Sequence, residues 1–281
     1  MSSPLFHRSE LLIGREAMER LARSRVILFG VGGVGSWCAE ALIRSGIGHL
    51  TLVDSDCVCI TNVNRQLQAT PGNVGRYKVD ELATRLRSIN PDAEIVPRRE
   101  AWGLETCGDF ALETFDYVLD AIDSLSPKLG LIDNTLALGR TLFSSLGASG
   151  KLDPTRIRTA TIWDSHGCPL ARRLRKRLRR RGITTPFKVV FSLEALLENR
   201  GEAAACGTDA CDCPRFAIGP DGEEGEAHEW CSHKAFINGS MAPVTAAFGF
   251  ALASLVINDV VAAETRKNQE NTEGGAHVEE R

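Results

Sequence analysis

The run Gly30-Val31-Gly32-Gly33-Val34-Gly35 stands between a short β-branched segment and an amphipathic one. Glycines placed there let a backbone approach a phosphate at a helix amino end, where unpaired N–H groups and the helix dipole attract an anion. Asp54 closes the next apolar segment, about 24 residues on, where a carboxylate can accept ribose hydroxyls. That much fits any nucleotide site, NAD included. The next polar residues narrow it: Asp56, Asn62, Asn64, Arg65 and Gln66, then Lys78 opening a helix, then Asp120 and Asp123 at a strand end. Two cations and extra carboxylates beside a phosphate loop suit ATP with Mg²⁺ better than a dinucleotide, which carries less charge and needs no metal. The bland alternative is that Arg65 and Lys78 only form surface ion pairs.

These side chains need a scaffold, and the first half of the chain has the rhythm of βα units. Strands are expected at Arg25 to Phe29, Leu50 to Val53, Tyr117 to Ala121 and Thr141 to Ser144, with helices at Ser36 to Arg44 and Lys78 to Ser88. Further strands are expected at Thr159 to Trp163 and Lys188 to Phe191. The predicted class is α/β, a Rossmann-like, mostly parallel sheet flanked by helices. One domain is expected over residues 1–260, with a nucleotide part at about 6–150 and a substrate part at about 151–260. The latter holds a basic helix at 170–181 and a polar, cysteine-containing insert at 201–237. Residues 264–281 have no apolar periodicity and are expected to be a disordered tail.

With 281 residues, 43% of them apolar, the chain can bury a large core, which excludes wholesale disorder. The formal charge of −3 argues against nucleic acid only as an average. Arg172, Arg173, Arg175, Lys176, Arg177, Arg179, Arg180 and Arg181 fall within ten positions, with Leu170, Leu174 and Leu178 every four residues. Such a helix docks one narrow stripe and offers its other faces to a phosphate backbone. It is alternatively a solvated helix neutralised by the acidic insert.

Nine cysteines in a chain whose first 22 residues carry Arg8, Glu10, Arg15, Glu16 and Glu19 and no apolar run point to a reduced, cytoplasmic protein. Cys206, Cys211, Cys213 and Cys231 supply enough thiolates for tetrahedral Zn²⁺; otherwise they are free thiols. Met241 to Ala263 approaches the length of a membrane span, but Pro243, Thr245, Gly249, Asn258 and Asp259 favour a buried core helix over a stable span.

Taken together, the glycine run, Asp54-Ser55-Asp56, Thr61-Asn62-Val63-Asn64-Arg65-Gln66, Val74-Gly75 before Lys78, and Asp120-Ala121-Ile122-Asp123 resemble the adenylating domain of sulfur-carrier-activating and ubiquitin-activating enzymes, the ThiF/MoeB-like fold. The match spans about Phe6 to Ser149. The resemblance implies an ATP site of Gly30, Gly32, Gly33, Asp54, Asp56, Asn62, Arg65, Gln66 and Lys78. Within it Gly32, Arg65 and Lys78 meet the phosphates, Asp54 meets the ribose and Asp123 holds Mg²⁺. Arg8 matches an arginine that enters the neighbouring subunit's site, so a homodimer is implied, with Arg8, Arg65, Lys78 and Asp123 carrying catalysis.

The second half is similar to the branch that acts on tRNA, the threonylcarbamoyladenosine dehydratases. The residues that carry this are Asp164, Cys168-Pro169-Leu170, the basic helix, Arg181-Gly182-Ile183, Lys188 to Glu194, Asn238-Gly239-Ser240 and Val244 to Phe250. The implied reaction is adenylation of the threonyl carboxylate beside the anticodon, then ring closure by the ureido group. A K⁺ or Na⁺ ion is also implied. Competing readings are activation of a ubiquitin-like sulfur carrier, a nucleotide-binding scaffold that recruits a cysteine desulfurase, and, last, an NAD-dependent oxidoreductase. Sulfur-carrier relatives usually carry Cys-x-x-Cys pairs, which this chain lacks.

Overall fold

The computed structural model describes residues 4–103, 105–201, 216–219, 222–227 and 238–276. Two short helices, α1 (His7–Ile13) and α2 (Arg15–Arg23), precede β1 (Arg25–Phe29), α3 (Gly35–Arg44), β2 (His49–Val53), α4 (Lys78–Ile89), β3 (Glu94–Arg98), β4 (Tyr117–Asp120), α5 (Leu125–Ala137) and β5 (Thr141–Ser145). The second half adds β6 (Ile157–Thr161), α6 (Pro169–Arg180), β7 (Lys188–Ser192), the ribbon β8 (Phe216–Ile218) and β9 (Glu224–Ala227), and α7 (Ala242–Ala276).

Strands covered on both faces must be apolar almost throughout, and Val26 to Phe29, Leu50, Leu52 and Val118 are buried accordingly. Seven strands form one sheet in the order β3-β2-β1-β4-β5-β7-β6, every pair parallel except β6 with β7. Helices α2, α3, α4 and α7 bury their apolar stripes on one face, and α5 and α6 cover the other together with Trp102 and Phe110. The predicted α/β class with a mostly parallel, helix-flanked sheet is the observed one.

Three expectations need correction. Sheet residues at β6 are Ile157–Thr161, two residues earlier than expected, because pairing to β7 sets Ile157 opposite Ser192 and Thr161 opposite Lys188. Helix α7 continues through Ala276, well past residue 264, the expected start of a disordered tail. Glu264 to Thr272 contain helix formers and no Gly or Pro, so the helix propagates through them without an apolar stripe. The third is strand β3, which is absent from the strands expected of the sequence.

Helix α7 is long and apolar enough to cross a membrane by composition. Here Val244, Phe248, Leu252, Val256 and Val260 instead pack into the core beside α3. Asp259 accepts a hydrogen bond from Tyr117 Oη at 2.9 Å, and Glu264 pairs with Arg20 at 3.0 Å, so its polar residues also bind protein. Gly249 permits the approach: a Cβ there would stand 2.5 Å from the Val34 carbonyl oxygen and 2.8 Å from the Cys38 nitrogen. Gly249→Ala is expected to push α7 off α3 and lower unfolding free energy by about 1–3 kcal/mol, measured from urea midpoints.

Candidate active site

All the predicted nucleotide residues except Arg8 derive from segments that leave the carboxyl ends of β1, β2 and β4, the usual position of a ligand crevice in such a sheet. Gly30 has φ +86°, a conformation that disfavours side chains. A Cβ on Gly30 would lie 2.9 Å from the Ala121 carbonyl oxygen, and one on Gly35 only 1.8 Å from that of Gly30. Gly30 and Gly35 are therefore without side chains by steric necessity. Hydrogen bonds fix the turn further: Gly30 N–H donates to Val53 O at 2.8 Å, Val31 N–H to Asp54 Oδ2 at 2.8 Å, and Gln68 Nε2 to Val31 O at 2.9 Å.

Asp54 is half-buried, and its second oxygen accepts the Asp56 N–H at 2.9 Å. Lys78, at the start of α4, is 4% exposed and its Nζ lies 2.6 Å from Asp56 Oδ2. Burial alone would lower the lysine's pKa. The carboxylates of Asp54 and Asp56, with Asp123 beyond them, outweigh it and hold the pKa above the usual lysine value. Burial pushes the Asp54 carboxyl up, against the pull of Lys78. The result is a fixed ammonium held between carboxylates.

Arg65 runs its stem beside Gly33, where a Cβ would be 3.4 Å from Arg65 Cγ. Its Nη1 donates to Thr61 O at 2.7 Å and Asn64 Oδ1 at 3.0 Å, and Trp37 Nε1 donates to the Arg65 carbonyl at 3.0 Å. Gln66 is buried, lies beside Gly32, and has an Oε1 with no hydrogen-bond partner among the described residues. A nucleotide, with hydroxyl and amino donors for that oxygen and phosphates for the glycine turn, fits these residues. Asn62 is used by the fold: its Oδ1 accepts the Cys59 N–H at 3.0 Å. Asp123 is exposed and takes a hydrogen bond from Ser124 Oγ at 3.2 Å. One open carboxylate opposite a phosphate turn suits Mg²⁺, which binds few protein oxygens alongside substrate phosphates.

Arg8 is not brought to this crevice within one chain. Its neighbour Phe6 packs beside Gly46, past the far end of α3, a helix about 15 Å long that starts at the glycine turn. Leu11 and Leu12 of α1, the helix that holds Arg8, are exposed.

Of the cationic helix, α6, the residues Ala171, Leu174 and Leu178 are buried while Arg172, Arg173, Lys176, Arg177, Arg179 and Arg180 are exposed. Arg175 is the exception, half-buried with Nη1 2.7 Å from Ser165 Oγ. Arg179 stacks over the Trp163 ring at 5.1 Å. Cys206, Cys211, Cys213 and Cys231, the expected thiolate group, lie outside the described residues. The buried Cys38 and Cys57 thiols are pushed up by desolvation, Cys57 to about 12, as befits inert core residues.

Two lysines that no sequence motif marks are buried. Lys128 of α5 is wholly buried and pairs with the equally buried Asp120 at the end of β4. It also donates to Ser144 Oγ at 3.2 Å and Ser145 O at 2.9 Å. Ser144 Oγ donates to Asp120 Oδ2 at 2.6 Å, and the other Asp120 oxygen accepts the Ile122 N–H at 3.0 Å. This network shapes the loop that carries Asp123. Past β5, the buried Lys151 donates to Glu194 O at 2.6 Å, and the Glu194 carboxylate accepts from the Leu152 and Asp153 N–H groups. Neither lysine sits in a recognisable spacing; only the partners, brought in by other strands, reveal them.

Comparison with known proteins bears on the same region. The ThiF family profile matches residues 6–274. The tRNA threonylcarbamoyladenosine dehydratase of Bacillus subtilis (strain 168) is 45% identical over 190 residues, 68% of this chain and 75% of that protein. The Escherichia coli (strain K12) protein of the same name is 35% identical over 263 residues, 91% and 93% of the two chains. The crystal structure of E. coli tRNA N6-threonylcarbamoyladenosine dehydratase in complex with ATP superposes with a TM-score of 0.76 at 32% identity, covering 93% of this chain and 95% of that one. E. coli MccB, solved with ATP, shares the fold at a TM-score of 0.58 and 16% identity, over 93% of this chain and 65% of that one.

Removing one partner of a buried ion pair leaves the other charge unpaired, so Lys128→Met is expected to cost about 3–5 kcal/mol in denaturant unfolding. Lys128→Met combined with Asp120→Leu should recover a substantial part of that loss. An unfolding midpoint unchanged in the single variant would show that the pair does not fasten the loop.

Proposed function

The chain belongs to the ThiF family, and from that premise we propose that it activates the threonyl carboxylate of threonylcarbamoyladenosine in tRNA with ATP and closes it to the cyclic form. The observation that carries the reading is the fixed Lys78 ammonium among Asp54, Asp56 and Asp123 beside a sterically constrained glycine turn. It occurs in a chain similar over nine-tenths of its length to a dehydratase of that name.

In the first step a carboxylate oxygen bonds to the α-phosphorus of ATP and the bond to the β-phosphate breaks, giving an acyl-adenylate and pyrophosphate. The turn from Gly30 to Gly33 and the amino end of α3 receive the phosphates, Asp54 the ribose, and Lys78 and Arg65 offset the charge that shifts toward the leaving group. Mg²⁺, when bound, would be held by Asp123 and neutralise phosphate charge. In the second step the ureido group of the same nucleoside attacks the acyl carbon and AMP leaves; the sum is loss of one water from the nucleoside. Because the attacking group is already attached to the activated carbonyl, no enzyme nucleophile is required.

The exposed cations of α6 are read as phosphate contacts for the tRNA. Arg8 is read as acting in a homodimer, because its helix sits at the far end of α3 and exposes Leu11 and Leu12 for a second subunit. A K⁺ or Na⁺ requirement and a cytoplasmic location belong to the same reading.

Incubation with ATP, Mg²⁺ and tRNA bearing threonylcarbamoyladenosine should reduce the mass of the digested nucleoside by one water. An unchanged nucleoside, with pyrophosphate release stimulated by a small carrier protein instead, would overturn the reading. Arg65→Gln and Asp123→Asn should each lower adenylation by about 10²–10³-fold and leave tRNA affinity intact. Replacing Arg172, Arg173, Lys176 and Arg177 together by Gln should weaken tRNA binding and flatten its salt dependence, by about 0.9 in log–log slope for each phosphate no longer neutralised. Cys231→Ala should retain cyclisation.

A further inference from the structure

Helix α6 runs from one edge of the sheet to the other. It starts where Cys168 Sγ would touch a Cβ on Gly147, a residue just past the carboxyl end of β5. It ends where Arg181 Nη1 binds Asp133 Oδ2 of α5 at 2.7 Å, beside the amino ends of β5 and β7. Twelve residues give it a length of about 18 Å. At that far edge lies a groove of about 310 Å³, lined in part by Leu136, Arg140, Thr141, Phe143, Thr185 and Lys188.

Two of those residues are cations from neighbouring strands. Lys188 opens β7 opposite Phe143 of β5, and Arg140 directly precedes β5. Lys188 is exposed; Arg140 is half-buried, and its Nε is a buried donor with no hydrogen-bond partner among the described residues. That nitrogen is closed off from the groove, but Arg140 itself lines the groove wall, so its positive charge and that of Lys188 attract an anionic oxygen there. The adjacent acid, Asp133, is already engaged by Arg181. Arg, Lys and Thr around an anion are the residue types that hold nucleic-acid phosphates.

We propose that this groove seats a backbone phosphate of the tRNA stem, at the far end of a basic track that α6 begins at the active-site edge. The proposal rests on the tRNA reading given above. If the modified nucleotide of the anticodon loop is held at the carboxyl edge, the paired stem is the part of the RNA that extends along α6, about 18 Å further on. Arg140 then reads no base; it fixes the direction in which the stem leaves the site.

The test compares wild type with Arg140→Gln/Lys188→Gln by fluorescence anisotropy, over a salt series, using full-length tRNA and a hairpin trimmed to the anticodon loop and its first few base pairs. The double variant should lose roughly tenfold in affinity for full-length tRNA at low salt, with a log–log salt slope shallower by about 1–2. The trimmed hairpin should bind both proteins equally. Lys188→Gln alone, at an exposed side chain, should show a smaller loss in the same direction. Equal full-length affinity and slope in wild type and both variants would overturn the proposal, as would an equal loss for the trimmed hairpin. Wild type that neither binds nor cyclises tRNA would refute the functional reading instead, a result the first comparison separates cleanly.

Discussion

The close passage of the Gly30 carbonyl beneath the first turn of α3 is the constraint on which the rest of the site depends. With 1.8 Å between that oxygen and any Cβ on Gly35, and 2.9 Å between a Cβ on Gly30 and the Ala121 carbonyl, the strand can enter the helix only with glycine at both ends of the turn. The consequence is chemical as well as steric. The Ser36 and Cys38 N–H groups bond back to Gly32 O at 3.1 Å and Val34 O at 3.0 Å, and the helix dipole places partial positive charge at the turn ahead of them. The same crowding ties the β1 turn to the end of β4, so the loop carrying Asp123 and the turn facing the phosphates cannot move independently.

A site that collects negative phosphates must keep its cations in place before substrate arrives, and an uncompensated buried lysine would be driven to neutrality. Lys78 avoids this through Asp56, which it binds directly, and Asp54, whose carboxylate is fixed by the Val31 and Asp56 N–H groups. Lys128 meets the same problem one layer down, with Asp120 as its counter-charge and Ser144 and Ser145 completing its bonds. The two pairs differ in their access to solvent. Asp56 keeps a partly exposed side chain, so phosphates can compete for Lys78; the Lys128 pair is sealed from water and can only shape the loop above it.

The sequence makes legible whatever depends on a local pattern. Strands β1, β2, β4 and β7 show because both their faces are buried, and Leu174 and Leu178 reveal α6 by their spacing. Strand β3 is illegible for the opposite reason: as the sheet's edge it tolerates Glu94, Pro97 and Arg98 and leaves alternate residues in solvent. Helix α5 hides behind Ser126-Pro127-Lys128 and Gly130, yet Pro127 falls in its first turn and Gly130 lies against Trp102. Lys128 reads as a surface residue on any scale, and only the long-range return of β5 makes it a core one. Tertiary placement likewise separates Arg8 from the residues with which the family pattern groups it.

Charge is where local and global descriptions diverge most. The chain totals −3, but Arg172 to Arg181 alone contribute +8, so all other residues together carry −11. A field of that form does two things at once. The acidic excess of the remaining chain and the cations of α6 together steer a polyanion toward that helix and the groove at its end. That field also leaves the seven cations of α6 to repel one another through solvent, with Asp133 of α5 offsetting Arg181 at the helix end. Burying Ala171, Leu174 and Leu178 fixes which side faces out, and turning Arg175 inward to Ser165 leaves the exposed cations on the outer face. Such a surface discriminates by geometry: a nucleic acid gains from it only if its backbone follows the helix away from the crevice where Lys78 waits.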